Sequence, residues 1–167
     1  MKKIWISIFV IIILCSFAVS SAEENISFDL VKYVNQGILN IGEIETTALE
    51  NYASVTGENY TSDENVYNAL KNEVIPLYKR FYEELRQITP ETDAVRKIHQ
   101  LYVRGADLIN EGFRVKMLGL ENNDESIVLM ANRKIEKGSE DVKEWKKQLL
   151  ELCKKYGVAP EESKEKK

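Results

Sequence analysis

Few side chains in this sequence can hold a proton, a metal or a nucleophilic lone pair, so each can be weighed singly. The only histidine is His99, and the cysteines are Cys15 and Cys153. Glu45 stands between Ile41 and Ala48 on an otherwise apolar helical seam. A carboxylate there can serve as a ligand or proton acceptor, or it can snorkel to the bundle edge or pair with a lysine. Paired with His99 it would make a metal or acid–base site. Aligning the starts of the two helices that carry them leaves the residues roughly 15 Å apart at about 1.5 Å per residue, which predicts two separate residues. His99 then falls at the level of Asn35, Phe81 and Trp145 as a structural histidine at the core edge, kept neutral because desolvation opposes its charge.

Known constellations are missing their parts. A carboxylate-bridged diiron bundle needs Glu-x-x-His turns, and the residue three before His99 is Arg96. Covalent haem attachment needs Cys-x-x-Cys-His, and one histidine with one cysteine outside the leader does not assemble a zinc cluster. No Gly-x-Ser-x-Gly elbow or phosphate-cradling glycine loop occurs. The sequence therefore predicts no cofactor, no metal site and no catalytic residue. Cys153, beside Leu152 near a helix end, reads as a buried, inert free thiol. Pro76 lacks the N–H that would bond to the Asn72 carbonyl, so its helix should kink there. The kink either opens a ligand cavity toward Tyr78 and Tyr82 or bends the helix around its core. Asn25 and Asn59 each begin a short glycosylation sequon, a match that chance easily supplies.

The elements that must position these residues are legible as helical repeats. Val31, Val34, Ile38, Ile41, Ala48, Tyr52 and Val55 recur at three and four residues over about 27–56, with Leu30 and Ile44 widening the stripe and Glu45 within it. Gly37 and Gly42 interrupt that run, a pattern that suits close approach of a second helix. After Gly57, Thr61 to Glu64 form a capping box, and a second stripe runs Val66, Leu70, Val74, Leu77, Phe81, Leu85 and Ile88. Thr89-Pro90-Glu91 reads as the start of a third helix, whose inner face is Val95, Ile98, Tyr102, Ala106, Ile109, Phe113 and Met117. Asn122-Asn123-Asp124 breaks it. The fourth repeat, Val128, Ala131, Ile135, Gly138, Val142, Trp145, Leu149, Leu152 and Tyr156, is a coiled-coil-like seam, closed by Gly157 and Pro160. Short links between long helices predict an all-α, antiparallel up-down-up-down four-helix bundle over 23–157, followed by a charged, disordered tail over 158–167.

The chain opens Met1-Lys2-Lys3, continues through an apolar, charge-free run from Ile4 to Val19, and reaches Ser20-Ser21-Ala22 before Glu23 and Glu24. That is the order of a cleavable signal peptide over 1–22, cut between Ala22 and Glu23. Two alternatives use the same residues. Ile4 to Ala22 approaches the roughly 20 residues that cross a bilayer, which allows an uncleaved anchor. Cys15 could carry a lipid, although Leu14 precedes it where a small residue is wanted. Under each, the basic start stays in the cytoplasm and the domain works outside it, periplasmic or extracellular, touching a membrane only through 1–22 if that segment is retained.

Losing two lysines with that segment takes the formal charge from −4 to −6. An acidic domain of this kind is unsuited to nucleic acid, which requires a basic stripe, and to anionic lipid surfaces. These exclusions leave a non-catalytic exported bundle acting through contacts with a protein partner. The alternative is a small-ligand-binding or sensory bundle tethered to the membrane, with its ligand near Pro76.

Overall fold

A computed structural model of the protein describes residues 23–159. The expected signal peptide with its cut between Ala22 and Glu23, the alternatives at Ile4–Ala22 and Cys15, and tail residues 160–167 lie outside the described residues. Four long helices carry the chain: α1 over 23–53, α2 over 63–85, α3 over Asp93–Glu121 and α4 over Glu125–Lys155. A 3-10 turn, Gly57–Asn59, lies in the first connection. No strand occurs among the described residues, and none of their helices is long and apolar enough to cross a membrane.

Two of the helices are not uniform. Within α1, Tyr33–Ile38 forms a π-turn whose closing bond runs from the Leu39 N–H to the Val34 carbonyl. Within α2, Leu70–Val74 does the same, with the Ile75 N–H donating to the Leu70 carbonyl. A π-turn holds one residue more than an α-turn, so the inner face before it is displaced by about one position. Leu30 is accordingly buried while Val31 is 41% exposed, which corrects the leading position of the first stripe. In α2 the inner face steps by fours from Val66 through Leu70 and Val74 to Tyr78, so Tyr78 replaces Leu77 as the fully buried residue. Proline follows the α2 π-turn directly: Pro76 sits at the start of the resumed α-helix. The wide turn takes up the missing donor that the sequence predicts as a kink at Asn72.

Caps fix where the helices begin and end. Ser62, not Thr61, caps α2 by accepting from the Asn65 N–H, while the Thr61 hydroxyl accepts from the Asn65 side chain. The third helix starts later than Thr89-Pro90-Glu91 suggests, at Asp93 with Thr92 as its cap. Asp29 of α1 is the reason. Its buried carboxylate accepts from the Glu91 N–H at 3.1 Å, the Thr92 N–H at 2.8 Å and the Thr92 hydroxyl at 2.6 Å, which holds the connection extended until Thr92. At the other end of α3, Asn123 takes a positive φ of 52°, and the Asp124 N–H returns to the Gly119 carbonyl at 2.8 Å, a Schellman closure. Asp124 then caps α4 with its own carboxylate. Helix α4 ends by the same device. Gly157 has φ +67°, the Val158 N–H reaches the Cys153 carbonyl at 2.9 Å, and Val158 packs on the core. The folded unit therefore includes Val158, which the sequence assigns to the tail.

The tightest packing joins α3 to α4. Gly105, Gly112 and Gly119, seven residues apart, face Gly138, then Ala131 and Ile135, then Val128, so contacts descend α4 as they climb α3. A Cβ added at Gly138 would lie 2.6 Å from the Gly105 carbonyl oxygen, and one at Gly112 2.6 Å from Ile135 Cγ1. Gly42 has nothing within 4 Å of such an atom, and Gly37 meets only the Ile88 side chain at 3.2 Å. Close approach thus belongs to the second pair of helices more than to α1. Aromatic rings tie all four helices together. Tyr52 packs on Phe113, Phe113 on Tyr78, Tyr78 on Phe81 and Phe81 on Tyr102, with centroids 4.8 to 5.8 Å apart. Tyr102 then stacks on Trp145 at 3.7 Å. Each such ring contributes about 1.5–3 kcal/mol on full burial.

Candidate functional site

Glu45 lies on the inner side of α1, one turn after Ile41, and its seam position carries the carboxyl into the aromatic core. Oε2 accepts a hydrogen bond from the Tyr102 hydroxyl at 2.5 Å. Oε1 is buried without a partner, as is the Tyr78 hydroxyl. Burial raises the Glu45 carboxyl above its ordinary 4.5, and the Tyr102 hydrogen bond only partly offsets this. Burial and then the Glu45 charge raise both the Tyr102 and Tyr78 hydroxyls. The result is a carboxyl in a ring of phenols, with no lysine or arginine among the causes acting on it. A protonated Glu45 could donate to a neighbouring oxygen, whereas an ionised one leaves a charge facing apolar walls.

His99 belongs to a different cluster. It is 7% exposed, its Nδ1 lies 3.3 Å from the Tyr33 hydroxyl, and the two rings meet edge to face. The Tyr33 oxygen also receives the Trp145 indole N–H at 3.2 Å. Because indole can only donate, Tyr33 accepts from it and has its own proton available for Nδ1 of a neutral imidazole. Burial lowers the His99 pKa in keeping with that state. Trp145 and His99 thus share the Tyr33 hydroxyl, and Tyr33, not Asn35, supplies the hydrogen bond from α1. Glu45 and His99 share no hydrogen-bond partner.

The remaining candidates are separated as well. Tyr78 is fully buried between Phe81 and Phe113. Tyr82 is half-buried and faces outward to Asp107 and Arg86. Pro76 is exposed, and neither tyrosine lines the clefts at the two ends of the bundle. Cys153 is a buried free thiol whose pKa burial raises, and its backbone carbonyl accepts from the Val158 N–H. Among the described residues no group of three or more His, Cys, Asp or Glu side chains is gathered as a metal site would require.

Sequence reasoning missed the open clefts, which lie at the ends of the bundle. One, of about 600 Å³, sits where the connection after α1 meets the turn between α3 and α4, on a floor of Val66, Leu120 and Val128 with Lys116 at its side. The Lys116 ammonium donates to the Tyr52 hydroxyl at 2.8 Å. It lies 5.1 Å from the ring centroid, which places it beyond the hydroxyl and not over the ring face, so the interaction is a hydrogen bond and not cation–π. A smaller cleft of about 300 Å³ lies at the other end beside Asp29, Lys32 and Pro90. A basic residue among apolar neighbours on α3 was the available signal for the first cleft, but only the tertiary meeting of two connections creates the space. No family model matches the chain, and neither does any curated protein or solved structure.

Proposed function

We propose that this is a non-catalytic helical bundle, antiparallel and up-down-up-down in topology, exported behind a signal peptide and working through contacts with another protein. The observation that carries this is the separate enclosure of its chemically capable groups. Glu45 is tied to Tyr102, His99 to Tyr33 and Cys153 is a buried free thiol, so no two of them meet at a cleft where a substrate could sit. The topology is supported by contacts that run in opposite senses along α3 and α4, from Gly105 at Gly138 to Gly119 at Val128, and by the start of α1 meeting the end of α4, where the Ser27 hydroxyl donates to the Tyr156 carbonyl. Large apolar side chains also stand in water on α3 and α4, where Leu118, Leu129 and Met130 are each about half exposed, as contact surfaces require.

Photo-crosslinking residues placed at 118, 129 and 130 in the source cells test this. A discrete crosslinked species from at least one position is expected. A turnover activity lost on Glu45→Gln or on replacement of His99 would overturn it. The second reading, a ligand-binding or sensory bundle held at the membrane by residues 1–22, draws its support from the larger end cleft and not from Pro76. That cleft lies at the end of the bundle remote from residue 23, where a tethered domain would present it to the surroundings.

A further inference from the structure

The larger cleft combines three features that together specify a ligand. Its floor is apolar, formed by Val66, Leu120 and Val128. At one side stands Lys116, half-buried, whose ammonium has the Tyr52 hydroxyl as its hydrogen-bond partner and no carboxylate within ion-pairing distance among the described residues. Burial lowers the Lys116 pKa, only partly offset by the charge of Asp63 in the same lining, so its charge is short of compensation that an incoming carboxylate would supply.

Across the cleft stand Asp63, Asp124 and Glu125. With one ammonium against three carboxylates, the lining repels a plain anion. Asp124 is occupied, since its Oδ1 accepts from the Ser126 N–H, the Ser126 hydroxyl and the Ile127 N–H. Asp63 receives only the exposed Tyr60 hydroxyl at 3.2 Å, and Glu125 is exposed. Both can take a positive group. We propose that this cleft binds a small zwitterion with an apolar body, a free α-amino acid or dipeptide, its carboxylate on Lys116 and its ammonium facing Asp63 and Glu125. The volume of about 600 Å³ accepts either size and falls within the usual range of small-molecule sites. The inference rests on the second reading above. Silence with the amino-acid probes removes this ligand class alone, whereas the second reading fails separately, on an intact-mass measurement of the native protein showing that residues 1–22 are not retained at the membrane, so the two outcomes are distinguishable.

The test is a titration of the isotopically labelled protein followed by amide chemical shifts. Four probes are used: L-leucine, L-leucyl-L-leucine, L-leucinamide and N-acetyl-L-leucine. Saturable shifts around Gly57, Lys116, Gly119 and Asn123 are expected with leucine or the dipeptide. Removing either charge, in leucinamide or N-acetyl-leucine, should weaken binding by about tenfold or more. Lys116→Met keeps the apolar stem and should abolish the shifts while leaving the thermal midpoint in place. Should that variant misfold, Glu125→Gln at an exposed position should still weaken leucine binding. Absence of saturation with both zwitterions at millimolar concentration overturns the proposal. So does undiminished binding in Lys116→Met, or in Glu125→Gln where Lys116→Met does not fold. Equal affinity for leucinamide or for N-acetyl-leucine would reduce the site to a simple cation or anion site and overturns it too.

Discussion

Adding one methyl group at Gly138 and one at Gly42 should change stability in opposite directions. Both positions lie inside helices, where alanine is preferred to glycine by about 1 kcal/mol. At Gly42 nothing lies within 4 Å of the new Cβ, so Gly42→Ala should gain close to that full amount. At Gly138 the new atom would stand 2.6 Å from the Gly105 carbonyl oxygen, 2.7 Å from Ile109 Cγ1 and 3.0 Å from the Ile109 nitrogen. Two of those three atoms are backbone of the facing helix and cannot swing away, so α4 must withdraw from α3. Overpacking of this kind costs about 1–3 kcal/mol, and with two rigid backbone atoms at 3.0 Å or less the cost falls in the upper part of that range, about 2–3 kcal/mol. Set against the helix gain of about 1 kcal/mol, Gly138→Ala should be about 1–2 kcal/mol less stable than the parent.

Urea titration followed by far-ultraviolet circular dichroism measures both variants on one scale. They should differ by roughly 2–3 kcal/mol, or about 6–12 °C in thermal midpoint for a domain of this size. A Gly138→Ala protein as stable as Gly42→Ala would refute the close approach of α3 and α4. An unchanged denaturant slope would exclude an altered unfolded state as the cause.

Three further outcomes follow from the buried polar groups. Glu45 has a raised carboxyl in the fold, so the folded state holds its proton more tightly than the unfolded chain. Its stability contribution is full below the ordinary 4.5 and is lost as pH rises through the raised value. The thermal midpoint should therefore climb on mild acidification, and Glu45→Gln should remove that climb; an identical slope in both proteins would refute the assignment. Asp29→Ala leaves the Glu91 and Thr92 donors without their acceptor and should cost about 2–4 kcal/mol in urea, with Asp29→Asn closer to the parent. Cys153, buried in the core, should react with an aromatic disulfide reagent only at the rate of unfolding, and prompt reaction in native buffer would show that the thiol is not enclosed.

The long amphipathic stripes of α3 and α4 were legible because each is an uninterrupted α-helix, in which sequence spacing translates directly into angle. Val95 through Phe113 are buried as their spacing requires. In α1 and α2 the same arithmetic slipped by one residue at each π-turn, since a uniform period cannot register an extra residue in a turn. Leu30 for Val31 and Tyr78 for Leu77 are the result. The Asp29 clamp was not legible because its partners lie about sixty positions away, as backbone groups that carry no sequence signature. Glu45 was recognisable as anomalous from its seam position alone, but its partner Tyr102 looked like one more core aromatic. The heptad of Gly105, Gly112 and Gly119 was present in the sequence. Its meaning depends on which helix faces it.

The stack of Tyr102 on Trp145 also makes the domain its own optical instrument. The chain has two tryptophans, Trp5 and Trp145, so a chain without residues 1–22 holds a single tryptophan, which can be excited apart from the tyrosines. Its indole N–H is bound to Tyr33 of α1 and its face lies on Tyr102 of α3, whose hydroxyl is bound to Glu45. Emission from that one site therefore registers the docking of α1, α3 and α4 at once, and the Tyr102 ring stacked on it connects it to the Glu45 carboxyl. Assembly can be followed without any introduced label.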